Sequence, residues 1–121
     1  MRGRVDPAAG PIFEQIADQV EAALARGELR PGEKLPSARA LAEALRVNPN
    51  TVIRAFELLE QRGISETRRG LGTFVREDVD IEALRRRRLR AAARRYLKAV
   101  RELGLGPEAA EEALKEVKDV T

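Results

Sequence analysis

The stretch that decides the reading is "VNPNTVIRAFELLEQRG", Val47 to Gly63. It sets an Asn-Pro-Asn turn signal at the mouth of a run with helical apolar spacing. The two signals agree if the helix starts inside the turn. Asn48 suits an N-cap, because its side chain can accept a hydrogen bond from an orphan backbone N–H of the first turn. Pro49 then falls at the first helical position, where no N–H is needed and its fixed φ already fits. Val52, Phe56 and Leu59 predict the inward face, with the helix ending near Gly63.

Upstream, "SARALAEAL" predicts a short helix from an N-cap at Ser37 to Leu45, with Ala38, Leu41, Ala42 and Leu45 on its apolar face. Two helices joined by two or three residues must cross steeply, which is helix-turn-helix geometry. Earlier still, Pro11 opens "PIFEQIADQVEAALARG", where Ile12, Ile16, Val20, Ala23 and Leu24 keep helical spacing up to a stop at Gly27. "LRPGEKLPS" reads as a connection, with Pro31-Gly32 in a type II turn.

Downstream, "ISETRRGLGTFV" predicts two short strands around the tip Arg69-Gly70-Leu71-Gly72. Asp80 is placed to cap a helix over about 81–103, whose apolar stripe is Leu89, Ala92, Ala93, Tyr96, Leu97, Val100 and Leu103. "GLGP" breaks it. Pro107 opens a last helix with Ala110, Ala113, Leu114 and Val117 on one stripe, and Glu108, Glu111 and Glu112 suit its N-terminal dipole. The expected fold is mainly α with a small β-hairpin. A winged helix-turn-helix domain over 1–76 precedes a C-terminal two-helix tail over 77–121. Two helices cannot enclose a core alone, and a winged domain of about 65 residues is marginal. The tail therefore either packs back on the first 76 residues or pairs with a second chain. The homodimer is the favoured expectation, with Leu89, Ala93, Tyr96, Leu97, Val100, Leu114 and Val117 as candidate dimerisation residues.

Composition narrows the chemistry. The 121 residues include no cysteine and no histidine. That excludes disulfide and zinc-thiolate scaffolds and removes the commonest general base. Glu57 and Glu60 sit three apart but read as a solvated helix face. "EDVD", 77–80, reads as a linker ending in a cap rather than a cation site. Gly70-x-Gly72 lacks the third glycine and following helix of a dinucleotide fingerprint. No catalytic residue, metal or cofactor is expected. With no signal peptide and no run approaching 18 apolar residues, the chain reads as a soluble cytoplasmic protein.

Net charge is +3, but it is segmented. Residues 1–76 carry 12 basic and 10 acidic side chains, 77–80 carry three acids, 81–101 carry nine basic and one acidic, and 102–121 carry two basic and six acidic. Position, not total charge, must therefore decide what binds.

The string "LPSARALAEALRVNPNTVIRAFELLEQRGI" followed by "RRGLGTFV" resembles the DNA-binding domain of the GntR family of bacterial transcription regulators. The likeness covers about residues 10–76. "VNPNTV", the "PIFEQI" start and the short helical tail are most similar to the YtrA-type subfamily, in which a two-helix dimerisation tail replaces a larger effector domain. The resemblance implies phosphate contacts from Ser37 and Arg39, major-groove entry by Asn48, Asn50 and Thr51, and minor-groove contact from the wing tip at Arg69-Gly70. Where many relatives carry two arginines, this chain has Pro49 and Ile53, leaving Arg54 to serve in their place. Physical chemistry agrees. Helix N-termini favour phosphate, Asn pairs with adenine edges, and arginines such as Arg68 and Arg69 suit a narrow minor groove.

These residues predict a sequence-specific transcriptional regulator, a repressor, binding an inverted-repeat operator in double-stranded DNA as a homodimer. The alternative is a winged-helix protein-interaction module without operator binding. The small tail leaves the dimer interface as the place for a small-molecule effector of unknown identity. The basic run "RRRRLRAAARR", 85–95, stays open between an ordinary solvated face through Arg87, Arg90, Arg94 and Lys98, pairing with acidic tails across the dimer, and contacting DNA.

Overall fold

The computed structural model describes residues 4–120. A 3-10 turn, Pro7–Ala9, leads into α1, Ile12–Arg26, which Gly27 closes. Then follow α2, Ala38–Leu45, and α3, Pro49–Gln61. The hairpin pairs β1, Ser65–Arg68, with β2, Gly72–Val75, antiparallel, setting Ser65 opposite Val75 and Arg68 opposite Gly72. The tail is α4, Ile81–Glu102, and α5, Pro107–Val120. Mainly α with one small hairpin is therefore the fold that forms.

Each boundary has a local cause. Ser37 caps α2 by accepting from the Ala40 amide at 3.1 Å, and the Asn48 carbonyl oxygen caps α3 by accepting from the Asn50 amide at 2.8 Å. The Arg30-Pro31-Gly32-Glu33 turn closes with the Glu33 amide donating to the Arg30 carbonyl at 3.1 Å. At the end of α4, the Leu105 amide reaches back to the Val100 carbonyl at 3.2 Å and the Gly104 amide to Arg101 at 2.9 Å. These bonds satisfy carbonyls that the helix leaves open.

α3 is the central element and packs on both α1 and α2. Ile16, Val20 and Leu24 from α1, Leu41 from α2, and Val52, Ala55 and Leu59 from α3 are buried together with Leu35, Ile64 and Val75. Each such aliphatic side chain contributes roughly 1.5–3 kcal/mol on burial, which is how a small domain offsets its chain entropy. Two ties brace this core. Arg62, just past α3, donates to Glu21 of α1 at 2.6 Å, and the carboxylate is largely buried. The Thr67 amide of β1 donates to Glu60 of α3 at 3.2 Å. Glu60 lies on a solvent-exposed face, as expected, and from there also ties the hairpin to the helix.

Three features go beyond the sequence reading. The connection after α1 is partly a strand: Leu35 donates to the Thr73 carbonyl and Val75 to the Glu33 carbonyl, each at 2.8 Å. The hairpin therefore has a third, short rung. Arg46, in the turn between α2 and α3, takes a left-handed conformation at φ 57°. Gln15 clamps the N-terminal arm to α1 by donating to the carbonyls of Asp6 and Gly10 and accepting from the Asp6 amide.

The chain divides into two compact units, residues up to Ile81 and residues from Glu82. In the second unit the Tyr96 hydroxyl donates to the Ala110 carbonyl at 2.9 Å, while Val100 and Ala110 are buried. Leu89, Leu103, Leu114 and Val117 remain 56–75% exposed.

Candidate nucleic-acid interface

In the first unit the start of α2, the outer face of α3 and the hairpin border one open groove of about 520 Å³. Ser37 and Ala38 form one side, Ile53, Phe56, Glu57 and Glu60 come from α3, and Thr67, Gly72 and Thr73 come from the hairpin. Ile53 is 43% exposed and, with Phe56, gives the helix side of this groove an apolar strip beside Glu57 and Glu60.

At the first turn of α3, Asn48 and Asn50 are exposed and Thr51 is half-buried. The cap bond occupies the Asn48 carbonyl oxygen. Its amide nitrogen is what remains to donate to an outside partner. Pro49 has no N–H, and the Asn50 and Thr51 amides already donate to Asn48, so this turn offers the positive end of the helix dipole and its exposed side chains. Ser37 and Arg39 are likewise exposed at the start of α2, so both helix starts offer polar groups to solvent.

The two wing arginines differ. Arg68 is held inside the hairpin: it pairs with Glu66 at 2.9 Å and its guanidinium lies 4.3 Å from the Phe74 ring centroid. Arg69 at the tip is exposed. The Leu71 amide donates to the Arg68 carbonyl at 2.9 Å, and Gly70 supplies φ 76° at the third position of that turn. Gly72 lies at φ 118°, and a Cβ there would come 2.8 Å from Lys34 Cε. Lys34 thus runs beside the wing, a cation that sequence reading left in a connection. Only its pairing with Phe74 across the sheet reveals it.

Arg54 lies away from the wing groove. Its guanidinium stacks 4.1 Å from the Phe13 ring centroid, so it is directed toward α1. Neighbours on a helix point about 100° apart, and Ile53 takes the wing side. Past the hairpin, Arg76 and Asp78 pair at 2.8 Å. The Arg76 hydrogen bond holds the Asp78 carboxyl below its usual range, and Asp78 raises Arg76 in return. Arg26 is raised similarly by its hydrogen bond to Glu28. Among the described residues no group of three or more acidic side chains could hold a metal ion, and no helix is long and apolar enough to cross a membrane.

Comparison with known proteins places this arrangement. The family model described as bacterial regulatory proteins, gntR family, matches residues 12–75. The HTH-type transcriptional regulator YhcF of Bacillus subtilis is 45% identical over 106 residues, spanning 87% of this chain and 88% of that protein. The HTH-type transcriptional repressor YtrA of the same organism is 46% identical over 76 residues, 62% of this chain and 58% of YtrA. Among solved structures, a GntR family transcriptional regulator from Listeria monocytogenes superposes with a TM-score of 0.79 at 32% identity, covering 88% of this chain and 95% of its own. Capped helix starts, a glycine-tipped wing and a match from α1 through the hairpin lead to one conclusion: the chain belongs to the gntR family of bacterial regulatory proteins, as a transcriptional regulator with a DNA-binding winged helix.

Proposed function

We propose that the protein is a homodimeric repressor that binds an inverted-repeat operator, with residues 1–76 reading DNA and 77–121 holding two chains together. The observation that carries this reading is the pairing of two features in one unit: an exposed polar first turn on α3 and an exposed Arg69-Gly70 wing tip. In this reading Asn50 and Thr51 meet base edges and phosphate, Asn48 donates through its amide, Ser37 and Arg39 hold phosphate, and Arg69 enters the minor groove. Arg54 and Arg68 take supporting parts, since their guanidinium groups are already stacked within the domain.

Exposed Leu89, Leu114 and Val117, with Ala93, support the dimer. Tyr96 and Leu97 are half-buried and Val100 is buried, so they serve the chain's own packing first. A repressor role has support from the name of the relative YtrA, and it follows physically if the bound dimer blocks polymerase access.

The test is a mobility-shift titration on the gene's own upstream DNA. Thr51→Ala and Arg69→Ala should each lower operator affinity by about 1–3 kcal/mol, roughly 5- to 150-fold, with unchanged thermal unfolding. Unchanged affinity in both variants would sink the site assignment. Retention of random DNA equal to that of the promoter would favour non-specific binding over operator recognition.

A further inference from the structure

The first unit is poorly supplied with cations for a phosphate backbone. Its residues 1–76 carry 12 basic against 10 acidic side chains. Four of those arginines are engaged internally, Arg26 with Glu28, Arg62 with Glu21, Arg68 with Glu66 and Arg76 with Asp78. The main concentration of positive charge lies on α4, where residues 81–101 carry nine basic side chains and one acid.

On α4, Arg90, Arg94, Lys98 and Arg101 follow at spacings of four, four and three residues, and all are exposed. At 100° per residue they line one side of the helix. Tyr96 and Val100 lie on the other, where the Tyr96 hydroxyl meets the Ala110 carbonyl of α5. The stripe therefore points away from α5, and no ion pair among the described residues joins it to α5. The Arg85–Glu82 pair, at 3.0 Å, lies outside it. At a rise of about 1.5 Å per residue, the four cations span about 17 Å with one every 5–6 Å. B-DNA presents one phosphate per about 3.4 Å of axis on each strand. A rigid row of four exposed cations over that length offers charge to several phosphates of a strand, at a wider spacing than theirs.

We infer that the Arg90-Arg94-Lys98-Arg101 stripe of α4 is a second DNA-contacting surface, one that takes duplex phosphates without reading bases and supplies much of the protein's salt-dependent affinity. It rests on the DNA-binding reading above and assigns the tail a function besides dimerisation. The acidic face of a second copy's α5 is the weaker occupant: Lys115 and Lys118 interrupt its acids, whereas a phosphate backbone has no such gaps.

The test uses the full chain, wild type against a variant carrying Arg90→Gln, Arg94→Gln, Lys98→Gln and Arg101→Gln. Gln keeps helix propensity at these exposed sites, and circular dichroism verifies folding. A second variant with Arg90→Lys, Arg94→Lys and Arg101→Lys retains the charge. Affinity for a random duplex and for promoter DNA is measured from 50 to 200 mM salt, with sedimentation across the same range. The inference expects the log–log salt slope on both duplexes to shallow by about 3–4 per bound chain in the Gln variant, about 7 for a bound dimer. The ratio of promoter to random affinity should persist, and the Lys variant should match wild type. An unchanged slope in the Gln variant overturns the inference while leaving the operator reading intact. So does an unchanged slope accompanied by weakened, salt-sensitive self-association, which would assign the stripe to a second copy. Wild-type protein that binds no duplex would instead overturn the underlying reading.

Discussion

At the scale of single residues, Asn48 shows how one side chain can serve fold and function with different atoms. Its side-chain carbonyl oxygen closes the first turn of α3 by accepting from the Asn50 amide, and the side-chain amide nitrogen is the group left to donate to another partner. Asn48→Ala should lower unfolding stability by about 1 kcal/mol, the usual worth of an N-cap, as read from chemical denaturation. Asn48→Ser keeps a cap oxygen but removes the amide donor. It should restore stability without restoring operator affinity, and full recovery of both would mean that Asn48 acts as a cap alone. Arg54 carries the opposite lesson. The family resemblance offered it as a stand-in base reader, but Phe13 arrives from α1 and takes its guanidinium face. An exposed stack of that kind contributes about 0.5–1 kcal/mol, enough to bias where the side chain rests.

At the scale of elements, the wing depends on two glycines in different ways. Gly70, at φ 76°, occupies the left-handed region with open space around it. Gly72, at φ 118°, is likewise at a positive φ that an L side chain rarely adopts, and an added Cβ would also displace the end of the Lys34 side chain. Gly70→Ala should cost about 1–2 kcal/mol of stability. Gly72→Ala should sit at the upper end of about 1–3 kcal/mol and loosen the hairpin as well. Denaturation midpoints of the two variants give the order, and equal losses would contradict the backbone argument. The hairpin strands were legible from their residues, yet the third rung from Glu33–Leu35 was not. A rung of that length has no period to read, and its "GEKLP" composition advertises only a turn. Its partner, the edge of β2, exists only once the chain has folded back. The tie from Glu60 to the Thr67 amide was hidden for the same reason.

At the scale of the whole molecule, the proposed dimer is tested on the exposed apolar side chains of the tail. Leu114 and Val117 are 56% and 62% exposed on α5, and Leu89 is 71% exposed on α4. Replacing Leu114 and Val117 together by Glu should make the protein sediment as a single chain. Operator affinity should fall with it, because linked half-sites bind at a raised effective concentration. Dimeric sedimentation of that variant would move the interface elsewhere.

The sequence by itself determined where helices begin and end and which face of each is apolar. Those features are local: Ser37 and Asn48 cap within two or three residues, Pro49 and Pro107 preset φ, and the apolar period repeats every turn. It also carried the family string, because capped starts and a glycine wing leave fixed spacings. Only the tertiary structure decided which charged groups remain to act. Arg62, Arg54 and Lys34 found their neighbours across 41, 41 and 40 residues of chain, at Glu21, Phe13 and Phe74. Contacts between side chains that distant in sequence follow from how α1, α3 and the hairpin pack, and no local pattern encodes them.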